Sequence, residues 1–125
     1  MQKPGQKTGP KKRPGQRKKR RTNPDRRADS RELARMLVSE DPGKRAWLAG
    51  VLGSRKNPKN LPLLKILAKD SSPLVRSRAI WAAGAIGGNE AMKLIKNGLK
   101  DTALEARLTA ETAITELNKR GNKRN

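Results

Sequence analysis

Residues 70–87 constrain the rest of the chain most, because Asp70-Ser71-Ser72-Pro73 and the run LVRSRAIWAAGAIG that follows read as one complete helical unit with weaker copies on either side. Asp70, Ser71 and Ser72 offer capping oxygens to the first free N–H groups, and Pro73 stands where a helix tolerates a missing donor. Val75, Ala79, Ala82, Ala83 and Ile86 recur at helical spacing as a stripe to be buried, and Gly87-Gly88 ends the helix. A shift of 31 residues places Asp70 on Asp101, Arg76 on Arg107, Ala79 on Ala110, Ala82 on Ala113 and Ile86 on Leu117. The reverse shift places Arg76 on Arg45, Ala79 on Leu48 and Ala82 on Val51. Such a period marks a solenoid, in which a helical hairpin buries its apolar face only by stacking on the next.

The unit has Asp at the inter-helix turn, Arg six residues later, and a run closing in Ala-Gly-x-Ile-Gly at residues 83–87. This resembles the short HEAT-like repeat of the phycobilisome-lyase type, over about residues 30–120. Asp70 with Arg76 and Asp101 with Arg107 match the pattern, whereas the first unit has Ser39 where Asp is expected, followed by Glu40 and Asp41. The resemblance implies an all-α fold, a short α-solenoid of three helical hairpins, and binding surfaces more than a reaction. The lyase activity is not implied, since such enzymes need more repeats and a pigment pocket.

The spacing predicts helices from about Ser30 to Ser39, with Asp29 as cap, and from about Lys44 to Leu52. A third starts at Asn60 with Pro62 in its first turn, and the fourth is the opening stretch. A fifth is capped by Asn89, and a sixth runs from the Thr102/Glu105 capping box to about Lys119, stopped by Gly121. The expected organisation is a basic extension at 1–28, a repeat domain at 29–120 and a basic tail at 121–125.

Charge carries the functional expectation. The chain has 31 Lys and Arg against 11 Asp and Glu, a net +20, which predicts a polyanionic partner. The extension contains Lys3, Lys7, Lys11, Lys12, Arg13, Arg17, Lys18, Lys19, Arg20, Arg21, Arg26 and Arg27 against the single Asp25, among Pro and Gly and almost nothing apolar. Such a segment is expected to be disordered when free and to become ordered along phosphates. Arg55, Lys56, Lys65, Lys69, Lys96 and Lys100 extend the candidate nucleic-acid surface onto the repeats. Arg45, Arg76 and Arg107 stand one repeat apart as a structural ladder, each able to pair with turn carboxylates.

Trp47 and Trp81 are the only aromatics; either fills the contact between repeats or offers a face for a base. Without His or Cys, the usual imidazole base and metal ligands are lacking, and no Gly-rich phosphate loop follows a strand. No apolar run approaches the roughly 18 residues that span a bilayer.

The expectation is therefore a non-catalytic RNA-binding protein, a ribosomal or ribosome-associated component with rRNA and neighbouring ribosomal proteins as partners. It has no catalytic residue, cofactor, metal, membrane contact or small-molecule substrate, and it is cytoplasmic, or nuclear if the basic clusters act as an import signal. The alternatives are a repeat adaptor for a protein partner, localised by the basic tail, and a DNA-compacting protein.

Overall fold

The computed structural model describes residues 29–124, with side chains from 31 to 121 and at Asp29; the basic residues expected at 3–27 lie outside the described residues. Six α-helices follow one another among the described residues: α1 (Ser30–Leu37), α2 (Pro42–Arg55), α3 (Leu61–Leu67), α4 (Pro73–Ile86), α5 (Asn89–Gly98) and α6 (Leu104–Arg124), with a 3-10 turn at Pro58–Asn60 before α3. The architecture is all-α, with no strand among the described residues, and forms a short α-solenoid. The second helices α2, α4 and α6 make one layer; α4 packs between α2 and α6 and against α3 and α5.

The stripe on α4 makes the core. Val75, Ala79, Ala82 and Ala83 are fully buried, and the helices packed around α4 bury Leu48, Val51 and Leu52 of α2, Leu64 and Leu67 of α3, Ile95 of α5 and Ala106 and Ala110 of α6 among others. Small residues let these helices approach closely. A Cβ at Gly53 would lie 2.9 Å from the Cα of Ala82, and one at Gly84, a repeat later, would lie 3.1 Å from the Cβ of Ala113. The same crossing thus recurs between α2 and α4 and between α4 and α6.

The helix limits differ from the expected ones for local reasons. Asp41 caps α2 by accepting from the Gly43 N–H at 2.8 Å, so Pro42 occupies the first turn and the helix starts earlier than Lys44. It ends at Lys56, whose backbone is left-handed (φ 52°). Asn89 is the first residue of α5 and not its cap; Gly88, at φ 95°, holds that position after Gly87 at 79°. Asp101, not Thr102, accepts from the Ala103 N–H, at 2.9 Å, before α6. That helix continues through Gly121 to Arg124.

Candidate functional site

The layer of second helices carries a groove of about 860 Å³, bounded by the end of α2, the outer side of α4 and the middle of α6. Gly53 and the residues after it leave room beside Trp81, whose Cζ3 would stand 2.8 Å from a Cβ at residue 53. The indole therefore rests one edge on the glycine backbone and keeps 49% of its surface open. Leu108, half-exposed, faces the same space with Thr112 and the carboxylate of Glu116, while Lys56 and Arg120 stand at its rim. Arg120 is fixed by a donation from Nη2 to the Gly84 carbonyl at 2.9 Å. Thr109 is turned by two contacts: its hydroxyl donates to the Glu105 carbonyl at 2.8 Å and meets Ser77 Oγ at 2.9 Å.

Chemically, the groove offers an apolar aromatic face, an aliphatic wall and one carboxylate beside two cations. An aliphatic chain with an amine at its end suits the first three, since methylenes pack on indole and ammonium is drawn to its face and to carboxylate. Of the residues singled out from the sequence, Trp81 and Lys56 line this groove; Leu108, Thr112 and Arg120 were not legible there as a group. The pairing of Gly53 with a Trp 28 residues later was the one available signal.

The remaining candidates sit elsewhere. Lys65 and Lys69 line a smaller cleft of about 340 Å³ between α3 and α5, together with Glu90 and Asp101. There the Glu90 carboxylate lies 3.3 Å from Lys93 and 3.5 Å from Lys65, and the Lys93 hydrogen bond, followed by the charges of both lysines, holds it below the usual range. Lys96 and Lys100 are exposed on α5 and just beyond it. Arg55 ends α2 on the opposite layer. The structure does not gather these cations into one continuous face: acidic groups intervene in the cleft, and Arg55 and Lys56 lie with the groove layer.

The arginine ladder joins successive repeats. Arg45 grips Asp70 through Nε at 2.7 Å and Nη2 at 3.0 Å, and its Nη1 donates to the Ser39 carbonyl at 2.6 Å. Arg76 grips Asp101 in the same two-point manner, while Nη1 donates to the carbonyls of Asp70 at 2.8 Å and Ser71 at 3.2 Å. The hydrogen bonds from Arg45 and Arg76 hold the carboxyls of Asp70 and Asp101 well below the ordinary carboxylate range, against the opposing effect of burial.

Among the described residues no group of three or more His, Cys, Asp or Glu could hold a metal ion.

Comparison with known proteins sets the context. The family described as HEAT repeats matches residues 30–115. The deoxyhypusine hydroxylase of Danio rerio is 30% identical over 87 residues, which cover 68% of this chain and 28% of that protein. The solved structure of human deoxyhypusine hydroxylase in complex with glycerol superposes with a TM-score of 0.72 at 22% identity, covering 92% of this chain and 42% of that one. The chain thus spans less than half the length of these relatives.

These relatives overturn the expectation of a non-catalytic, RNA-binding ribosomal protein with rRNA and ribosomal proteins as partners: both carry the name of an enzyme. Neither the adaptor nor the DNA-compacting alternative gains from them. The physical reason for the error is that net charge governs solubility and non-specific association, and does not report which activity a fold carries.

Proposed function

The chain belongs to the HEAT-repeat family, and from that premise we propose that it serves a reaction of the deoxyhypusine hydroxylase type by holding the substrate polypeptide. The groove between α2, α4 and α6 receives the modified side chain. Deoxyhypusine is a long aliphatic polyamine side chain, and the observation that carries the proposal is the half-open Trp81 in one groove with Leu108 and Glu116. In this reading the methylenes lie on the indole and on Leu108, and an ammonium group meets the Glu116 carboxylate. Lys56 and Arg120 at the rim favour an acidic or neutral backbone segment around that side chain. The role assigned to these residues is binding and orientation; no oxygen-transfer step is assigned to them.

We propose further that the repeats are of the short phycobilisome-lyase type, on the strength of the Asp and Arg six residues apart in two units and the 31-residue period. The basic residues 1–28 form an extension preceding the repeats in this reading.

The test is calorimetric titration of the intact chain with two peptides that differ only in deoxyhypusine against lysine. Tighter binding of the deoxyhypusine peptide is expected, and equal affinity for both would refute the assignment.

A further inference from the structure

We propose that the outer face of α6 carries a carboxylate-binding site at Arg107, made for an aspartate that a partner polypeptide presents at the turn before a helix. The proposal stands on Arg107, which does not line the groove, and does not depend on the groove's occupant.

The ladder repeats incompletely. In two rungs an Arg on a second helix meets the Asp of the next turn: Arg45 with Asp70 and Arg76 with Asp101, each 25 residues apart and each through Nε and Nη2. The third rung is prepared identically on its inner side. Arg107 Nη1 donates to the Asp101 carbonyl at 2.8 Å and the Thr102 carbonyl at 3.2 Å, the distances at which Arg76 Nη1 meets Asp70 and Ser71. Its side chain is thus anchored in the pose that in Arg76 aims Nε and Nη2 at a carboxylate, yet among the described residues Arg107 forms no ion pair. A planar guanidinium fixed in this way presents two parallel donors matched to a carboxylate.

The surroundings say what kind of partner brings the acid. Leu104, 60% exposed, stands one turn before Arg107 at i−3 on α6, so the contact has an aliphatic component. One turn further the face turns polar. Glu111 takes the place held by the buried Ala49 and Ile80 in the preceding units, and Thr115 takes that of Gly53 and Gly84, whose missing side chains permit the close helix crossings. The face therefore rejects a whole stacked repeat while its first turn remains suited to an acid and an apolar side chain. A second copy of this chain does not meet the need, because its first unit offers Ser39 where the ladder requires Asp.

The test uses the intact chain and a fluorescein-labelled peptide with the sequence of residues 97–108, which contains Asp101 and the start of its helix as Arg76 meets them. Fluorescence anisotropy is expected to show saturable binding, weakened about tenfold or more when the peptide Asp is replaced by Asn, the size of one charge-assisted pair. Arg107→Lys, which keeps the charge and loses the two-donor edge, is expected to weaken binding comparably, and Arg78→Lys on exposed α4 to leave it unchanged. Equal binding of the Asp and Asn peptides, or equal effects of the two Arg→Lys changes, would overturn the proposal. So would displacement of the peptide by inorganic phosphate at concentrations where acetate has no effect, which would make the site one for phosphate.

Discussion

Arg76 on α4 and Asp101 at the turn before α6 are joined by two parallel hydrogen bonds, Nε to Oδ2 at 2.9 Å and Nη2 to Oδ1 at 3.0 Å. Because Nη1 of the same arginine holds the backbone of the preceding turn, one side chain ties the Asp70 turn to the Asp101 turn. The register of the solenoid is thus fixed at two points per repeat: the polar fork at the turn and the glycine crossing in the middle of the helices.

Arg76→Ala removes four donated hydrogen bonds and leaves a mostly buried carboxylate without its partner. Urea unfolding followed by circular dichroism is expected to show a loss of about 1.5–3 kcal/mol, the range for hydrogen bonds to charged groups. A loss under about 0.5 kcal/mol, typical of exposed ion pairs, would assign the fork no stabilising role.

Acid acts through the same pairs. Asp70 and Asp101 are held below their unfolded values, so their contribution is complete above the unfolded carboxylate pKa of about 3.9 and is lost as pH falls through the lower folded values. With no His in the chain, thermal midpoints are expected to be flat from about pH 6 to 8 and to drop only in acid. The acid limb should be shallower in Asp70→Asn than in the parent; an unchanged limb would place the acid sensitivity elsewhere.

Two glycines of α2 separate packing from propensity. Gly50→Ala meets nothing within 4 Å and is expected to stabilise by about 0.4–1 kcal/mol, because alanine restricts the unfolded chain. Gly53→Ala sets a Cβ 2.9 Å from the Ala82 backbone, forcing α2 from α4, and is expected to cost about 1–3 kcal/mol. Opposite signs in thermal unfolding support the close crossing, and a stabilising Gly53→Ala would refute it.

The 31-residue register made the core legible from sequence. Val75, Ala79, Ala82 and Ala83 stand where the helical stripe puts them, and Gly87 takes a positive φ that favours glycine. Helix ends were less legible because they rest on competing local caps: the Asp41 side chain reaches Gly43, and Asp101 takes the N–H that a Thr102/Glu105 box would satisfy. The groove was barely legible, with Gly53 and Trp81 as its one trace in the sequence, since it exists only where the backbone of Gly53 meets the Trp81 ring and where α6 brings Thr112 and Glu116 across from them. Trp81 fits neither expected role alone, with one edge packed and one face open. Function was misread because the density of Lys and Arg points to polyanions whichever fold carries it, and that density says nothing of a groove built from few charges.

Within the groove, Trp81→Ala is expected to weaken binding of a deoxyhypusine peptide by roughly 0.5–2 kcal/mol, the span of cation–π contacts from open to desolvated sites. Glu116→Gln should weaken the deoxyhypusine peptide more than its lysine counterpart, as read by calorimetry on the same chain. Equal losses for both peptides would detach Glu116 from recognition of the added amine.

The most direct measurement is the emission of Trp81 itself, isolated by Trp47→Phe, while the intact chain is titrated with the deoxyhypusine peptide. A saturable change in intensity and wavelength is expected as the half-open indole is covered, with a much weaker response to the lysine peptide. Unaltered Trp81 emission at concentrations where calorimetry registers binding would place the substrate off the groove and contradict the role proposed for it.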